Sequence, residues 1–213
     1  MTKPQVIFLD AVGTLFGVKG SVGEIYGAIA SKFGVASDIK LLNRAFSQSF
    51  QKSPLMAFPD ADKDGIPELE FDWWKAIALS TFEIAGVITQ FTNFDDFFTE
   101  LYRHFATAQP WYLYPDAIPS LEAWQKQGIE LGIISNFDTR LYQVLEILDL
   151  KQYFLTITIS SITGAAKPDA KIFRTALEKH DCSGDRAWYI GDSFKEDYCG
   201  AASVGIKSFL LQR

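Results

Sequence analysis

The run VIFL at positions 6–9, followed at once by DAVGT at positions 10–14, decides the fold of this 213-residue chain. Four apolar residues in a row, stopped by an acidic residue and a nearby glycine, are typical of a short strand buried on both faces and ended by a turn. Such strands occur in parallel sheets that helices cover on both sides. We therefore expect an α/β protein whose first strand covers residues 5–9 and is followed at once by Asp10.

The alternation of strands and helices resumes in the second half of the chain. Strands are predicted at 130–135, 156–160, 187–191 and 207–211, and helices at 116–127, 139–149, 169–180 and 194–203. Strands separated by helices indicate crossover connections and a mainly parallel, Rossmann-like sheet with helices on both faces. In such sheets, ligands bind outside the carboxyl ends of the strands.

The block between these two parts has helical periodicity only. Its first helix is expected to begin at about Val22, with Ser21 and Glu24 at capping-box spacing and Gly34 at its end. Further helices are predicted at 38–52, 69–86 and 94–107. We expect an inserted all-helical cap domain at 17–111 and a core domain made of 1–16 and 112–213.

Composition and charge exclude several classes of protein. Apolar residues make up 48% of the chain, and the formal net charge is −6, which argues against a nucleic-acid or anionic-membrane partner. The apolar run before Asp10 is too short for a signal sequence or a membrane span. Cys182 and Cys199 match no metal-ligand spacing, so reduced cysteines and a cytoplasmic protein are expected.

Clusters of polar residues follow the ends of predicted strands, and one such cluster precedes a predicted helix. Taken singly, an acidic residue after a strand is usually a turn residue or helix cap, and a lone lysine is usually a surface charge. Together the clusters supply a carboxylate nucleophile, hydroxyl and amide donors, a cation and two more carboxylates at one sheet edge. That combination is what phosphoryl transfer through an aspartyl intermediate requires. The residues are Asp10, Thr14, Ser135, Asn136, Lys167, Asp192 and Asp197.

In order and spacing, these clusters resemble the four motifs of the haloacid-dehalogenase-like hydrolase superfamily over nearly the whole chain. The insertion after the first strand resembles the subclass with a helical cap. Four further strings resemble one subgroup of that superfamily: WW at 73–74, AGV at 85–87, SNFD at 135–138 and SFL at 208–210.

The resemblance implies a role for each residue. Asp10 would attack the substrate, Ser135 would hydrogen-bond a phosphoryl oxygen, and Lys167 would neutralise charge. Thr14 and Asn136 would bind substrate, although Thr14 could equally serve only the turn. Mg²⁺ would be held by Asp10, the backbone carbonyl of Val12 and Asp192, with Asp197 in its outer shell. The implied substrate is a small phosphorylated molecule.

The sequence departs from this pattern at Val12. Phosphatases of the superfamily carry a second aspartate there as general acid and base, and valine transfers no proton. A phosphatase for substrates with a good leaving group is therefore expected, with a 2-haloacid dehalogenase or a catalytically impaired binding protein as alternatives. Asp138 could supply the proton, but it is also placed to cap the helix predicted to begin there.

The segment DADKDG at 60–65 imitates the opening of a calcium-binding EF-hand loop. The loop needs an acidic residue at its twelfth position, where this chain has Phe71. We therefore expect an acidic loop that does not bind calcium.

Overall fold

The computed structural model describes residues 3–213. Its strands are β1 (Val6–Leu9), β2 (Phe16–Val18), β3 (Trp111–Leu113), β4 (Glu130–Ser135), β5 (Thr156–Ile159), β6 (Ala187–Gly191) and β7 (Lys207–Leu210). Its α-helices are α1 (Val22–Lys32), α2 (Ile39–Lys52), α3 (Ile66–Ile84), α4 (Phe94–His104), α5 (Ala117–Lys126), α6 (Arg140–Ile147), α7 (Ser160–Thr163), α8 (Ala170–Glu178) and α9 (Gly200–Ala202).

Five strands form one parallel sheet in the order β5-β4-β1-β6-β7. The central strand β1 is buried along its whole length, as its uninterrupted apolar sequence predicts. Leu9 pairs with Ile133 of β4 on one side and with Ile190 of β6 on the other. Residues that follow these three strands therefore meet at one edge. The predicted α/β class, with a Rossmann-like parallel sheet flanked by helices, is confirmed.

The chain divides into two compact units. The first contains residues 1–17, 56–66 and 112–213, and the second contains 18–55 and 67–111. Segment 56–66, expected within the cap, belongs to the first unit: a Cβ added to Gly164 would lie 2.7 Å from the Cα of Pro59. The second unit is helical, and the role of 17–111 as a cap stays a prediction.

Each unit has its own apolar core. In the first, Phe8, Ile134, Phe173 and Tyr189 are fully buried between the sheet and its helices. In the second, the core is largely aromatic, and the ring of Phe82 packs edge-on against that of Phe97 at 5.1 Å. Aromatic side chains bury large apolar areas, so they contribute strongly to the stability of this core.

The capping box predicted for the first helix is present in α1. The Ser21 hydroxyl accepts from the backbone N–H of Glu24 (3.2 Å), and the Glu24 carboxylate accepts from the N–H of Ser21 (2.9 Å). Gly34 follows the helix with φ +77°, a conformation that glycine adopts without steric cost. The local sequence thus determines both ends of this helix.

Two features differ from the sequence-based expectation. The short strands β2 and β3, which were not predicted, pair in a separate two-stranded sheet. Three residues are too few for a periodic pattern to stand out. The predicted helix at 194–203 begins instead as a π-helical segment, Phe194–Cys199, and continues as α9.

Within residues 3–213, no helix has both the length and the apolar character that crossing a bilayer requires.

Candidate active site

Asp10 lies directly after the central strand and is 7% exposed. Its backbone N–H donates to the carbonyl oxygen of Ile190 (3.0 Å), so the ladder with β6 extends one residue beyond β1. This bond fixes the residue at the carboxyl edge of the sheet. Asp10 is therefore held by main-chain geometry rather than by a mobile loop.

The ammonium group of Lys167 is the centre of the buried charge cluster. Its Nζ donates to Asp10 Oδ1 (2.7 Å), to Asp197 Oδ1 (2.6 Å) and to the hydroxyl of Tyr189 (3.0 Å). These contacts use all three of its N–H donors. Lys167 is only 2% exposed, and two ion pairs compensate for the cost of burying its charge.

Asp197 is 1% exposed and has both carboxylate oxygens engaged. Oδ1 accepts from Lys167, and Oδ2 accepts from the backbone N–H of Ser193 (2.9 Å). Gly191 leaves room for this carboxylate, because a Cβ at that position would lie 2.4 Å from the Asp197 Cγ. Glycine at the end of β6 is thus a steric requirement of the site.

Asp192 presents an exposed carboxylate beside the buried cluster. The hydroxyl of Thr14 points to its Oδ1 at 3.4 Å, a long hydrogen bond. Gly13 has φ +91°, and a Cβ there would lie 2.5 Å from Asp192 Oδ2. A side chain at position 13 would therefore collide with Asp192, so this turn requires glycine there.

Asp10, Asp192 and Asp197 could together hold a metal ion. One carboxylate oxygen from each lies within 4.8 Å of the others, and this is the single such group found among residues 3–213. Three carboxylates around one ammonium leave two negative charges, which a divalent cation would balance. Oxygen ligands from a few carboxylates are what Mg²⁺ prefers.

The pKa values of these groups are shifted mainly by burial and then by the neighbouring charges. Burial raises the pKa of Asp10 to about 6, an effect that Lys167 opposes and Asp197 reinforces. Burial would lower the pKa of Lys167, but the charges of Asp10 and Asp197 outweigh it, and the pKa is raised. Desolvation, followed by the charge of Asp197, also raises the pKa of Asp192. The cluster therefore favours a bound cation.

The structure places Ser135 and Asn136 differently with respect to this cluster. Ser135 ends β4 and is 3% exposed, at the same sheet edge as Asp10. The side chain of Asn136 bonds to the main chain of Lys167 and to Glu196, and the contact with substrate expected of it stays a prediction.

Val12 and Asp138 bear on the question of a proton donor. Val12 lies in the turn after β1, where the N–H of Gly13 donates to the Phe16 carbonyl and that of Phe16 to the Ala11 carbonyl. Neither bond uses the Val12 carbonyl. Asp138 is fully buried and ion-paired with Arg140 (2.6 Å), and its carboxylate accepts from the Arg140 N–H (2.9 Å). This agrees with a capping role rather than with acid catalysis.

Sequence reasoning missed Tyr189 and Glu196, which bond to predicted site residues, and Arg213, which bonds to the turn after β1. Tyr189 is fully buried, and its hydroxyl lies 2.8 Å from Asp197 Oδ1 and 3.1 Å from the carbonyl oxygen of Ile134. Arg213 donates to the carbonyl oxygen of Thr14 (2.5 Å) and stacks over the ring of Tyr114 (4.0 Å). A tyrosine within a buried strand was a detectable signal, since its hydroxyl needs a partner. No sequence signal pointed to Arg213, because its contacts depend on tertiary structure.

The acidic segment 60–65 does not resemble a closed calcium loop. Residues Lys63–Gly65 form one turn of 3₁₀-helix that leads directly into α3, and Phe71 lies inside that helix. The carboxylate that would close an EF-hand loop is absent at this position.

Comparisons with known proteins agree with the fold and show the family. A family model described as haloacid dehalogenase-like hydrolase matches residues 4–205. The mouse (Mus musculus) protein named haloacid dehalogenase-like hydrolase domain-containing protein 3 is 33% identical over 210 residues, which are 97% of this chain and 81% of the mouse protein. Relatives of the same name in Xenopus laevis and Homo sapiens are 32% and 30% identical, which confirms the expected subgroup.

Two solved structures share the fold at lower identity. The HAD phosphatase from Thermococcus onnurineus has a TM-score of 0.66 at 23% identity, covering 100% of this chain and 87% of that one. The 2-haloacid dehalogenase from Pseudomonas syringae pv. Tomato DC3000 has a TM-score of 0.64 at 20% identity, covering 99% and 86%. Proteins named as a phosphatase and as a 2-haloacid dehalogenase thus share this fold. By its family model and its relatives, the chain belongs to the haloacid dehalogenase-like hydrolase family and is a hydrolase.

Proposed function

We propose that this hydrolase is a Mg²⁺-dependent phosphatase that acts through a phosphorylated Asp10 and favours small substrates with a good leaving group. The observation that carries the proposal is the cluster of Asp10, Asp192 and Asp197 around a single buried ammonium, that of Lys167. A site with two uncompensated negative charges is suited to a divalent cation and an anionic substrate.

The donor set fits Mg²⁺. Asp10 and Asp192 are proposed as direct ligands together with the Val12 carbonyl, while Asp197 supports them from the outer shell because both of its oxygens are already engaged. When bound, the ion would neutralise charge on the phosphoryl oxygens and on the attacking carboxylate.

The residues of the chain would carry out the reaction in two displacements. A carboxylate oxygen of Asp10 forms a bond to phosphorus as the bond to the leaving oxygen breaks. Water then attacks phosphorus, which releases phosphate and restores the carboxylate. Lys167 keeps Asp10 ionised and oriented, and Ser135 donates a hydrogen bond to a phosphoryl oxygen.

Val12 determines the expected substrate preference. Without a positioned acid, the leaving oxygen departs unprotonated, and the loss of general acid catalysis typically costs about 10² to 10⁴ in rate. Turnover of acyl and aryl phosphates, whose leaving groups are stable anions, should be slowed least. Turnover of alkyl phosphates such as those of sugars should be slowed most.

We further propose a reducing compartment such as the cytoplasm as the setting of this activity, because Cys182 and Cys199 are both free.

The test is turnover of acetyl phosphate, p-nitrophenyl phosphate and glycerol phosphate, each with Mg²⁺ and with a chelator. We expect turnover of the first two, slower turnover of the third, and none with chelator. Asp10→Asn should be inactive, whereas the matched change Asp149→Asn should leave activity unchanged, because φ of +55° at this position suits asparagine. Equal rates for aryl and alkyl phosphates would refute the role given to Val12.

A 2-haloacid dehalogenase is the second candidate, and Val12 is the observation that favours it, since a departing halide needs no proton. The same protein should then release chloride from a 2-chloroacid without added metal. Chloride release that is independent of chelator, with no phosphate release, would replace the phosphatase proposal. No turnover of either class would indicate a binding protein.

A further inference from the structure

Lys167 carries its ammonium from a segment without regular secondary structure. It lies between α7 and α8, outside any helix or strand, and is followed by Pro168, which has no N–H to donate. Helix or sheet hydrogen bonds therefore do not fix its main chain. Its ammonium is nevertheless placed within 2.7 Å of two carboxylate oxygens, so another group must hold the backbone.

Asn136 supplies those bonds. Its Oδ1 accepts from the backbone N–H of Lys167 (2.7 Å), and its Nδ2 donates to the carbonyl oxygen of the same residue (3.0 Å). The same Nδ2 donates to Glu196 Oε2 (3.2 Å). One side-chain amide thus pairs with both polar groups of the Lys167 main chain, much as a neighbouring strand would.

We infer that Asn136, oriented by Glu196, is a positioning residue that holds the Lys167 main chain so that its ammonium meets Asp10. The inference rests on the proposed function, which makes the Lys167–Asp10 contact part of catalysis. It also proposes this role for Asn136 in place of the expected contact with the substrate, because the amide is already engaged.

The Lys167 main chain and Glu196 together determine which way round the amide lies. The amide oxygen of Asn136 faces a donor, whereas its nitrogen faces two acceptors, the Lys167 carbonyl and the Glu196 carboxylate. A carboxylate in place of this amide would still accept from the Lys167 N–H. It would, however, set one negative oxygen against a carbonyl and another carboxylate, a repulsive arrangement at short distance.

The contact between Asn136 and Glu196 can be tested by moving the negative charge from Glu196 to position 136. Asn136→Asp creates the repulsion, and Glu196→Gln removes the part of it between the two carboxylates, because the glutamine amide can donate to the new carboxylate. The double variant should therefore recover part of what the single change loses. A residue that merely contacted substrate would show no such dependence on Glu196.

The control is Asn93, a second asparagine whose amide pairs with backbone N–H groups and with a carboxylate. It caps α4: its Oδ1 accepts from the backbone N–H groups of Asp95 (3.0 Å) and Asp96 (3.2 Å), and its Nδ2 donates to the Asp96 carboxylate (2.7 Å). Asn93→Asp makes the same chemical change in the helical unit. It should leave turnover unchanged.

The experiment measures kcat and KM for p-nitrophenyl phosphate with Mg²⁺, and Tm, for wild type, Asn136→Asp, Glu196→Gln and the double variant. We expect kcat of Asn136→Asp to fall by roughly 10²-fold, the loss that a misplacement of about 1 Å produces, with a much smaller change in KM. The double variant should recover at least about 10-fold of kcat, and also part of the lost Tm.

Three outcomes would overturn the inference. These are a change confined to KM, no recovery of kcat in the double variant, or an Asn136→Asp protein that fails to fold and is not restored by Glu196→Gln. A wild-type protein without Mg²⁺-dependent turnover refutes the proposed function instead. In that case Tm alone tests the contact, and additive losses in the double variant overturn it.

Discussion

Replacing Lys167 with methionine is the perturbation whose outcome the structure determines most directly. Methionine is unbranched and similar in length, so Lys167→Met removes the ammonium without removing most of the packing. The ammonium is 2.7 Å from Asp10 and 2.6 Å from Asp197, and the side chain is 2% exposed. The change therefore leaves two buried carboxylates without their shared cation.

Removing one partner of a buried ion pair typically lowers the free energy of unfolding by about 3 to 5 kcal/mol. Two carboxylates lose the same partner here, so we expect the upper end, about 5 kcal/mol at neutral pH. For a protein of this size, 1 kcal/mol shifts Tm by about 2 to 4 °C, which gives a decrease of about 10 to 20 °C.

The pH dependence of this loss has a definite sign. Burial raises the pKa of Asp10 to about 6 from 3.8 even with Lys167 present, and removing the lysine removes the group that opposes the shift. An acid whose pKa is raised on folding destabilises the folded state when it ionises. In the variant the pKa of Asp10 therefore lies above 6, so the loss in Lys167→Met should be largest above that raised pKa and should shrink as the pH falls towards 6.

The assay is thermal unfolding at about pH 5 and pH 8, with and without Mg²⁺. Mg²⁺ should restore part of the lost Tm at the higher pH, because a divalent cation replaces the missing charge. The control is Lys179→Met, whose ammonium bonds only to the neutral oxygens of Ile157 and Thr158. A loss in Lys167→Met that equals the control, or that does not vary with pH, would refute the reasoning.

Three other outcomes are expected. Gly13→Ala should weaken Mg²⁺ binding at least about 10-fold in calorimetric titration, because the new Cβ would lie 2.5 Å from Asp192 Oδ2; unchanged affinity would contradict this. Tyr189→Phe should lower the free energy of unfolding by about 1 to 3 kcal/mol and reduce kcat, because Asp197 loses a hydrogen bond; wild-type values of both would show that the hydroxyl is dispensable. Calcium added to chelator-treated protein should leave tryptophan fluorescence unchanged if segment 60–65 binds none, and a saturable change abolished by Asp60→Asn would contradict this.

Local sequence was sufficient for the main elements of the fold. The strands at 130–135 and 187–191 were predicted with the bounds that the structure shows, and the first strand, predicted at 5–9, covers 6–9. Buried parallel strands are continuous apolar segments ended by turn residues, so both their presence and their ends are visible locally. Strands β2 and β3 were missed because each has three residues and depends on the other.

The candidate site was predictable in its residue types but not in its contacts. Asp10, Lys167 and Asp197 were named from the sequence, and the structure brings their charged atoms within hydrogen-bonding distance. Asn136 shows the limit, because its position after a strand suggested substrate binding, whereas its amide bonds to a main chain 31 residues away.

By itself, then, the sequence determined the α/β class, the family and the acidic residue after the first strand, because periodicity and motif spacing are properties of short segments. Tertiary structure alone decided that Lys167 bridges Asp10 and Asp197, that Tyr189 joins them, and that Asn136 with Glu196 supports the lysine. Those contacts join residues far apart in the chain, and their strength depends on burial, which raises the cost of any charge left without a partner.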